Sequence, residues 1–318
     1  MEAQTPASIS SKSTEDATVN ISIVLVCWNN KNFLEQCLHS LFVSKMRSSF
    51  DVVVADNGST DGSQEMLKEK FPSVKIIQND HNVGLSRASN QGIMATQGNY
   101  VLLLNNDTVV NAPSLDAMAQ FMNETPDAGA VGGVLLNADG SFQSAGIDFS
   151  SLHEEFLIAT RLGVIFNPTY PSYPPDRRVK TVGWLSSACL LLRREALKQT
   201  GLLDEDYFIY GDEVDLQYRL HKIGWEVYFL PDANTIHYGG QSMDRWRRRK
   251  MVYRGKMLFY KKNYGPLRTG ILRMMLFILS VAKMLVWGAV FIFPHRRERA
   301  KSEIASNLEV IKLCWNIK

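Results

Sequence analysis

The chain has 318 residues, 45% of them hydrophobic and 21% charged, with a formal net charge of +3. That balance excludes a disordered or collagen-like chain and fits one large domain or two small ones. The charge is unevenly placed: from Gln241 onward there are 18 Lys and Arg against 4 Asp and Glu, whereas the first 240 residues hold 17 against 28. An acidic body followed by a basic tail predicts an anionic surface, membrane or nucleic acid, beside the C-terminal part.

The first twenty residues, MEAQTPASISSKSTEDATVN, contain no apolar run, so they read as a disordered tail over 1–18 rather than a secretory signal. Ordered chain is expected from ISIVLVCW, a continuous apolar run that suits a buried strand. Phe33, Leu34, Cys37, Leu38, Leu41 and Phe42 then fall on one helical face. FDVVVADNGSTDG is a strand running into a turn, SQEMLKEKF a short helix, SVKIIQND a third strand, GLSRASNQGIMAT a helix and NYVLLLNND a fourth strand. Strands alternating with helices predict a parallel sheet covered on both faces. From 111 to 180 the pattern is less regular. AVGGVLL and ACLLLRR read as strands, PTYPSYPPDRR as a loop, and GDEVDLQYRLHKIG as a helix stopped by Gly224. The four cysteines show no CxxC or zinc spacing and read as buried free thiols of a reducing compartment.

Three strand ends are polar in the same way: Trp28, Asn29 and Asn30; Asp56, Asn57, Gly58 and Ser59; Asn105, Asn106 and Asp107. Ligands of open α/β sheets sit beyond the carboxyl ends of the strands. A flat aromatic, several amides and two carboxylates there suit a nucleobase and a metal-bound diphosphate. Asn, Asp and Ser are also ordinary turn and helix-cap residues, so one such end alone signifies little. There is no GxGxxG after the first strand and no GxxxxGK[ST], which argues against dinucleotide hydride transfer and P-loop chemistry. Without a glycine cradle, a diphosphate can be held through a divalent cation, Mg²⁺ or Mn²⁺, on Asp107. Asp212, Glu213 and Asp215 open a helix, where acids are favourable in any case and where Asp215 can pair with Arg219. One of these acids is also placed to act as a general base. His237 precedes two glycines and is a candidate metal ligand.

Taken together, SIVLVCWNN, VVVADNGSTDGS, NVGLSRASNQGI, YVLLLNNDTVV, LLLRREAL…GLLDEDYFIYGDEVDLQYRL…GW and IHYGGQS resemble glycosyltransferase family 2, the inverting GT-A enzymes, and most of all its rhamnosyltransferase-like branch. The resemblance covers about residues 20 to 242. It implies a GT-A fold, α/β with a mostly parallel central sheet flanked by helices. It also implies a glycosyltransferase domain over 19–242, with a nucleotide-binding half at 19–110 and an acceptor-binding half at 111–242. By position, Trp28, Asn29, Asp56, Gly84, Arg87, Asn90, Asn105 and Asn106 are implied to bind the nucleotide-sugar donor, and Asp107 and His237 the metal. Glu213 is implied as the catalytic base, and Trp184 and Ser187 as acceptor contacts. Three departures stand out. The acidic metal motif begins with the amide Asn105. The acid pair is Asp-Glu rather than Glu-Asp, which keeps Asp212 a candidate base. Ser187 stands where a glycine is common.

Residues 271 to 293 are long enough to cross a bilayer, and thirteen of them are Leu, Ile, Val or Phe. Those thirteen favour insertion by about 6 kcal/mol, against which Lys283 costs about 3 kcal/mol. Thr269, Arg273, Ser280 and Lys283 fall on one narrow polar stripe, and basic clusters flank both ends. This predicts a membrane-associating region over 243–318 that lies in the interface of an anionic membrane, with a single span as the alternative. The expected function is sugar transfer from a nucleotide donor, TDP-rhamnose or a UDP-sugar, to a hydroxyl of a lipid-linked or polysaccharide acceptor. It is expected at the cytoplasmic face of a bacterial inner membrane, without nucleic acid and with a homodimer left open. The alternative is a weak or inactive membrane-bound sugar-nucleotide-binding protein.

Overall fold

The computed structural model describes residues 20–172, 178–239 and 245–316. The tail expected over 1–18, the boundary expected at 242/243 and part of the proline-rich loop lie outside the described residues. The first half runs β1 (Asn20–Cys27), α1 (Lys31–Val43), β2 (Ser49–Asp56), α2 (Ser63–Lys70), β3 (Lys75–Gln78), α3 (Leu85–Met94) and β4 (Tyr100–Asn105). Then come β5 (Thr108–Val109), α4 (Ala112–Glu124), β6 (Ala128–Leu136), β7 (Phe142–Ser144), α5 (Leu152–Thr160), α6 (Gly163–Phe166) and β8 (Lys180–Thr181). The chain continues with β9 (Cys189–Arg193), α7 (Arg194–Thr200), α8 (Asp212–Lys222) and β10 (Glu226–His237), and closes with α9 (Arg245–Asn263), α10 (Gly265–Val290) and α11 (Arg297–Asn316).

The strands form one sheet in the order β3-β2-β1-β4-β9-β6-β10-β5, with β7 on β6 and β8 on β10. The first four strands are parallel. Beyond them the sheet is mixed, because β9 enters antiparallel between β4 and β6 while β6 and β10 pair parallel. Period-two alternation divides the strand residues between two cores. Ile21, Ile23 and Leu25 of β1 and Leu102 and Leu104 of β4 pack with α1, α2 and α4 on one face. Val24, Val53, Val101 and Leu103 pack with α3, α7 and α8 on the other. A third cluster, containing Tyr207, Met257, Tyr260, Leu272 and Leu276, joins α9, α10 and α11 to the domain.

The expected polar stripe of the apolar helix turns inward. Thr269, Leu272, Leu276 and Ser280 are its buried residues. Arg273 Nε donates to Cys314 O at 2.6 Å, and Lys283 Nζ donates to Ala159 O at 2.7 Å. Both cations thus lie at helix C-termini, those of α11 and α5, where positive charge is favoured. The opposite face, with Leu267, Ile271, Met274, Ile278 and Leu285, is exposed and wholly apolar.

One irregularity sets the aim of β10. Residues 231–233 bulge out between the Leu230–Gly133 and Asn234–Val134 pairs, at Pro231, which has no amide hydrogen to give the ladder. The bulge is admitted by Gly133, where an added Cβ would stand 1.8 Å from Ala233 O. Gly133→Ala is therefore expected to lower stability by about 2 kcal/mol or more, in the range of overpacked cores. A shift in the urea midpoint reads it directly, and an unchanged midpoint would show that the bulge relaxes freely.

Candidate active site

The three polar strand ends meet at one edge of the sheet and are tied to each other by their side chains. Asn29, with φ +50°, accepts from Thr60 N at 2.7 Å on Oδ1, and its own N–H donates to Ser59 Oγ at 2.9 Å. Asn30 Nδ2 donates to Asn106 Oδ1 at 2.8 Å, and Asn106 Nδ2 donates to Val26 O at 2.9 Å. Asn29 and Asn106 thus hold the loops in place. Trp28 stands 41% exposed at this edge. Asp56 is fully buried: Oδ2 accepts from Ser59 N at 3.1 Å and from Gln64 Nε2 at 2.7 Å, while Oδ1 has no partner among the described residues. An unpaired buried carboxylate oxygen is costly and wants an N–H donor.

Gly84 and Asn90 make their contacts with the loop that precedes α8. Leu85 N donates to Phe208 O, and a Cβ on Gly84, whose φ is +93°, would fall 2.8 Å from that same oxygen. Asn90 Nδ2 donates to Leu203 O at 2.8 Å, and its Oδ1 accepts from Leu203 N. Arg87 is exposed and 3.9 Å from Glu205. α3 is in this way the platform on which the acidic loop rests.

On the far side of β4, His237 Nε2 is 3.3 Å from Asp107 Oδ1 and 3.2 Å from Asn105 Nδ2. The network fixes the imidazole tautomer. Gln143 Nε2 donates to Asn137 Oδ1 and to His237 O, so the amide is oriented with Oε1 free to accept. That Oε1 lies 2.7 Å from His237 Nδ1, which must therefore carry a hydrogen. Unless the ring holds a second proton, the Nε2 lone pair faces a carboxylate oxygen. Two ligands about 2.1 Å from one ion and at right angles are about 3.0 Å apart, so the pair is spaced for a shared cation. Among the described residues no group of three His, Cys, Asp or Glu side chains is gathered. A divalent ion here would complete its shell with phosphate and water oxygens, as such ions do at nucleotide sites. The donor set thus fits the expected divalent cation.

The acids at the start of α8 have different environments. Asp215 is held by Arg219 Nε at 2.8 Å and by Asn263 Nδ2 at 2.8 Å, a structural role. Asp212 is buried, and neither of its oxygens has a partner among the described residues. Burial, and then the neighbouring Glu213 carboxylate, hold its carboxyl well above the usual range. Glu213 is half-buried and accepts from Gly211 N at 3.1 Å. Asp212, Asn105 and Ser187 line one small cavity with Val24 and Val26. Trp184 bridges Ile147 through its backbone, and Gln217 Nε2 clamps this segment to α8, donating to Leu185 O and Glu213 O at 2.8 Å each. Buried thiols complete the picture: desolvation pushes Cys37 up to about 12 and Cys189 up to about 11, which removes them from nucleophilic chemistry.

The residues that sequence reasoning passed over are Gln143, Tyr210, Gln217 and Arg248. Tyr210 has φ +64°, a strained conformation for a bulky residue that recurs at functional sites. α9 packs directly on it, since a Cβ on Gly255 would stand 2.2 Å from Tyr210 O. Arg248 lies over its ring at 5.9 Å. Burial raises the phenol, Arg248 opposes that, and the charges of Glu213 and Asp107 both add to it. Both carboxylates therefore act on the same hydroxyl. Its position one residue before Gly211-Asp212 was the available sequence signal; Arg248 was hidden in a basic run.

Comparison with known proteins agrees with this geometry. The family described as "Glycosyl transferase family 2" matches residues 22–201. The N-acetylglucosaminyl-diphospho-decaprenol L-rhamnosyltransferase of Mycobacterium tuberculosis is 33% identical over 241 residues, covering 71% of this chain and 78% of that protein. Among solved structures, mannosyltransferase PcManGT from Pyrobaculum calidifontis, in complex with GDP-Man and Mn²⁺, aligns with a TM-score of 0.58 at 13% identity over 94% of this chain and 88% of that one. S. aureus TarS 1–349 aligns with a TM-score of 0.53 at 14% identity over 92% and 90%. With the sheet, its polar carboxyl edge and these matches in agreement, the chain is a glycosyltransferase of family 2 with the GT-A fold.

Proposed function

We propose that this glycosyltransferase moves a sugar, with inversion, from a nucleoside diphosphate donor to a hydroxyl of a lipid-linked acceptor at an anionic membrane surface. The observation that carries the reading is the meeting of the Asp107–His237 pair, the cavity shared by Asn105, Ser187 and Asp212, and the acidic start of α8 on one sheet edge. The activity that names the mycobacterial relative, L-rhamnosyl transfer to a diphospho-decaprenol saccharide, supports a lipid-linked acceptor and makes TDP-rhamnose the first donor to try.

Asp56 Oδ1 suits the imide N–H of uracil or thymine, or guanine N1–H, and Trp28 offers a flat face beside it. Asp56 is fully covered here, so base entry displaces the side chains above it. Asp107 and His237 would hold the divalent ion, which when bound supplies Lewis-acid stabilisation of the diphosphate. Glu213 takes the acceptor hydroxyl proton as that oxygen bonds to the anomeric carbon. The bond from that carbon to the diphosphate breaks, and its electron pair leaves with the diphosphate. Asp212 is the weaker candidate for this step, since burial and the Glu213 carboxylate favour its neutral form, whereas Glu213 is only half-buried. Arg248, over Tyr210, adds a cation on the same side.

The C-terminal helices favour attachment in the plane of the membrane over a span. α11 runs back along α10, from Arg299 over Trp287 at 5.5 Å to Cys314 beside Arg273. A spanning α10 would carry Lys301, Glu303, Glu309 and Lys312 into hydrocarbon, at about 10 kcal/mol in total. Lying in the interface, α10 buries its apolar face and leaves α11 in water.

Glu213→Gln is expected to lower kcat by about 10²- to 10⁴-fold, the usual worth of a positioned base, while donor still raises the melting temperature. Asp212→Asn should lose far less, and the reverse order of effects would move the base to Asp212. Asp212 also has a pH signature. Its folded pKa is raised, so its contribution to stability is full below the unfolded value of about 3.9 and is lost as pH rises through the folded value. Asp212→Asn should abolish that decline in urea midpoints, and identical pH profiles would contradict a neutral Asp212. Mn²⁺ with a UDP-, TDP- or GDP-sugar should raise the melting temperature more than the sugar alone. Asp107→Asn should remove the Mn²⁺-dependent part, and full retention of it would place the ion elsewhere. Ile278→Asp should weaken binding to phosphatidylglycerol vesicles by about 100-fold, given about 3 kcal/mol for a charge in the apolar face, and unchanged flotation would reject the attachment mode.

A further inference from the structure

A second cavity lies away from the sheet edge. It lies on the α5–α6 hairpin, measures about 570 Å³ and is lined by Leu157, Ile158, Arg161, Val164, Ile165 and Tyr170. That volume suits a small amphiphile or one end of a long chain. Its lining is mostly apolar, with the Tyr170 hydroxyl and Arg161 as the polar groups; Arg161 has φ +62° and is exposed. No hydrogen bond or ion pair is made by its guanidinium among the described residues. Lys283, which donates to Ala159 O, stands on the α10 side of Arg161, while Glu154 and Glu155 of α5 act on Tyr170, Glu155 being paired with Lys256 at 2.6 Å. Arg161 is the lining residue that brings a positive charge to the cavity. Ile165 and Phe166 beside it are 73% and 83% exposed. Through the Lys283–Ala159 hydrogen bond, the hairpin adjoins α10, whose apolar outer face would meet the membrane. From the hairpin the path to the reaction centre is short. Glu155 of α5 pairs with Lys256 of α9 at 2.6 Å, next to the Gly255 that packs on Tyr210.

We infer that this cavity binds the isoprenoid end of a lipid-linked diphosphate acceptor, with the chain among Leu157, Val164, Ile165 and Tyr170 and a phosphate on Arg161. The inference rests on the reading of the acceptor as lipid-linked and adds where its lipid is held. An apolar slot ending in an unpaired cation matches an isoprenyl phosphate on both counts: it takes up hydrocarbon, and it offers a guanidinium suited to phosphate oxygens. The bilayer would meet the convex face of α10, whereas the recess beside it selects one chain from that bilayer. The hairpin thus lifts the acceptor lipid from the surface and presents its head group toward α9 and Glu213.

The test is photolabelling of the full chain with a benzophenone analogue of geranylgeranyl diphosphate, alongside transfer to one saccharide diphosphate carried on a long or a short isoprenoid. Label is expected on the segment from Leu157 to Tyr170. Ile165→Asp and Arg161→Glu should each reduce it about tenfold, while Ile165→Leu keeps it. Ile165→Asp should raise KM for the long-chain acceptor about tenfold and leave the short-chain acceptor unchanged, whereas Arg161→Glu, which removes the contact to the phosphate common to both, should raise KM for both about tenfold. Labelling elsewhere, or equal losses with both acceptors in Ile165→Asp, overturns the assignment. So does full competition by phosphatidylglycerol, which would make the occupant bulk lipid. Labelling in the cavity with no transfer to any lipid-linked saccharide would sink the functional reading and leave the isoprenyl phosphate site standing. Transfer with no labelling in the cavity would do the reverse.

Discussion

The contact of Asp107 Oδ1 with His237 Nε2 across 3.3 Å imposes the main constraint on this fold. It is favourable when positive charge, a ring proton or a cation, lies between the two atoms, and the surrounding chain is arranged to keep it. β5, only two residues long, pairs His237 with Thr108. Tyr238 N donates to Asp107 O at 2.9 Å, which fixes the carboxylate's backbone against the imidazole's. The short strand β7 brings Gln143 to Nδ1 and so sets which nitrogen is left to face the acid. The bulge at Pro231, admitted by Gly133, aims the end of β10 at this point. An amide that fixes the ring's tautomer is what a metal-binding role for His237 would require.

The half of the fold built by local pattern was legible in the sequence. β1, β2 and β4 are continuous apolar runs because both faces are buried, and the helices between them carry clear stripes. The polar ends of those strands could be read as one edge for the same reason. α4 was not read, although Asn111 caps it by accepting from Ser114 N at 2.9 Å and Leu115, Met118, Ala119 and Met122 form an i, i+3, i+4, i+7 stripe; the signal was there and was overlooked among the Asn- and Gly-rich residues around it. The antiparallel entry of β9 was equally hidden, since pairing direction depends on non-local connections and leaves no local mark. Gln143 carried no signal at all: its importance comes only from an imidazole 94 residues away. The polar stripe of α10 was seen, but its direction was not, because a stripe on a helical projection points equally well to water or to a neighbouring helix.

That direction changes the energetics of the C-terminal region. Arg273 and Lys283 facing lipid would cost up to about 3 kcal/mol each, whereas at helix C-termini each contributes a favourable ~0.3–1 kcal/mol. The stripe is therefore glue within the protein, and the outer face is left uniformly apolar. α9 connects this bundle to the chemistry. Its Arg249 and Lys250 pair with Glu303 and Glu309 of α11, while Arg248 turns to Tyr210. The helix that braces α11 is thus also the one that places a cation beside the acidic loop.

The amide at position 105 follows from the same economy of buried charge. Asn105 lines the cavity that holds Asp212, whose oxygens already lack partners. A carboxylate at 105 would add a second buried acid there, and a further buried carboxyl without a partner is costly. The amide avoids that cost and gives His237 Nε2 a donor at 3.2 Å when no cation is bound. In the proposed site the imidazole would take the part of a second carboxylate without adding negative charge beside Asp212 and Glu213. One carboxylate and one imidazole would hold an ion less tightly than two carboxylates, which would leave more of its binding to the diphosphate. Donor and metal are then expected to bind as a unit, each raising the affinity for the other, which is the reciprocity that linkage demands.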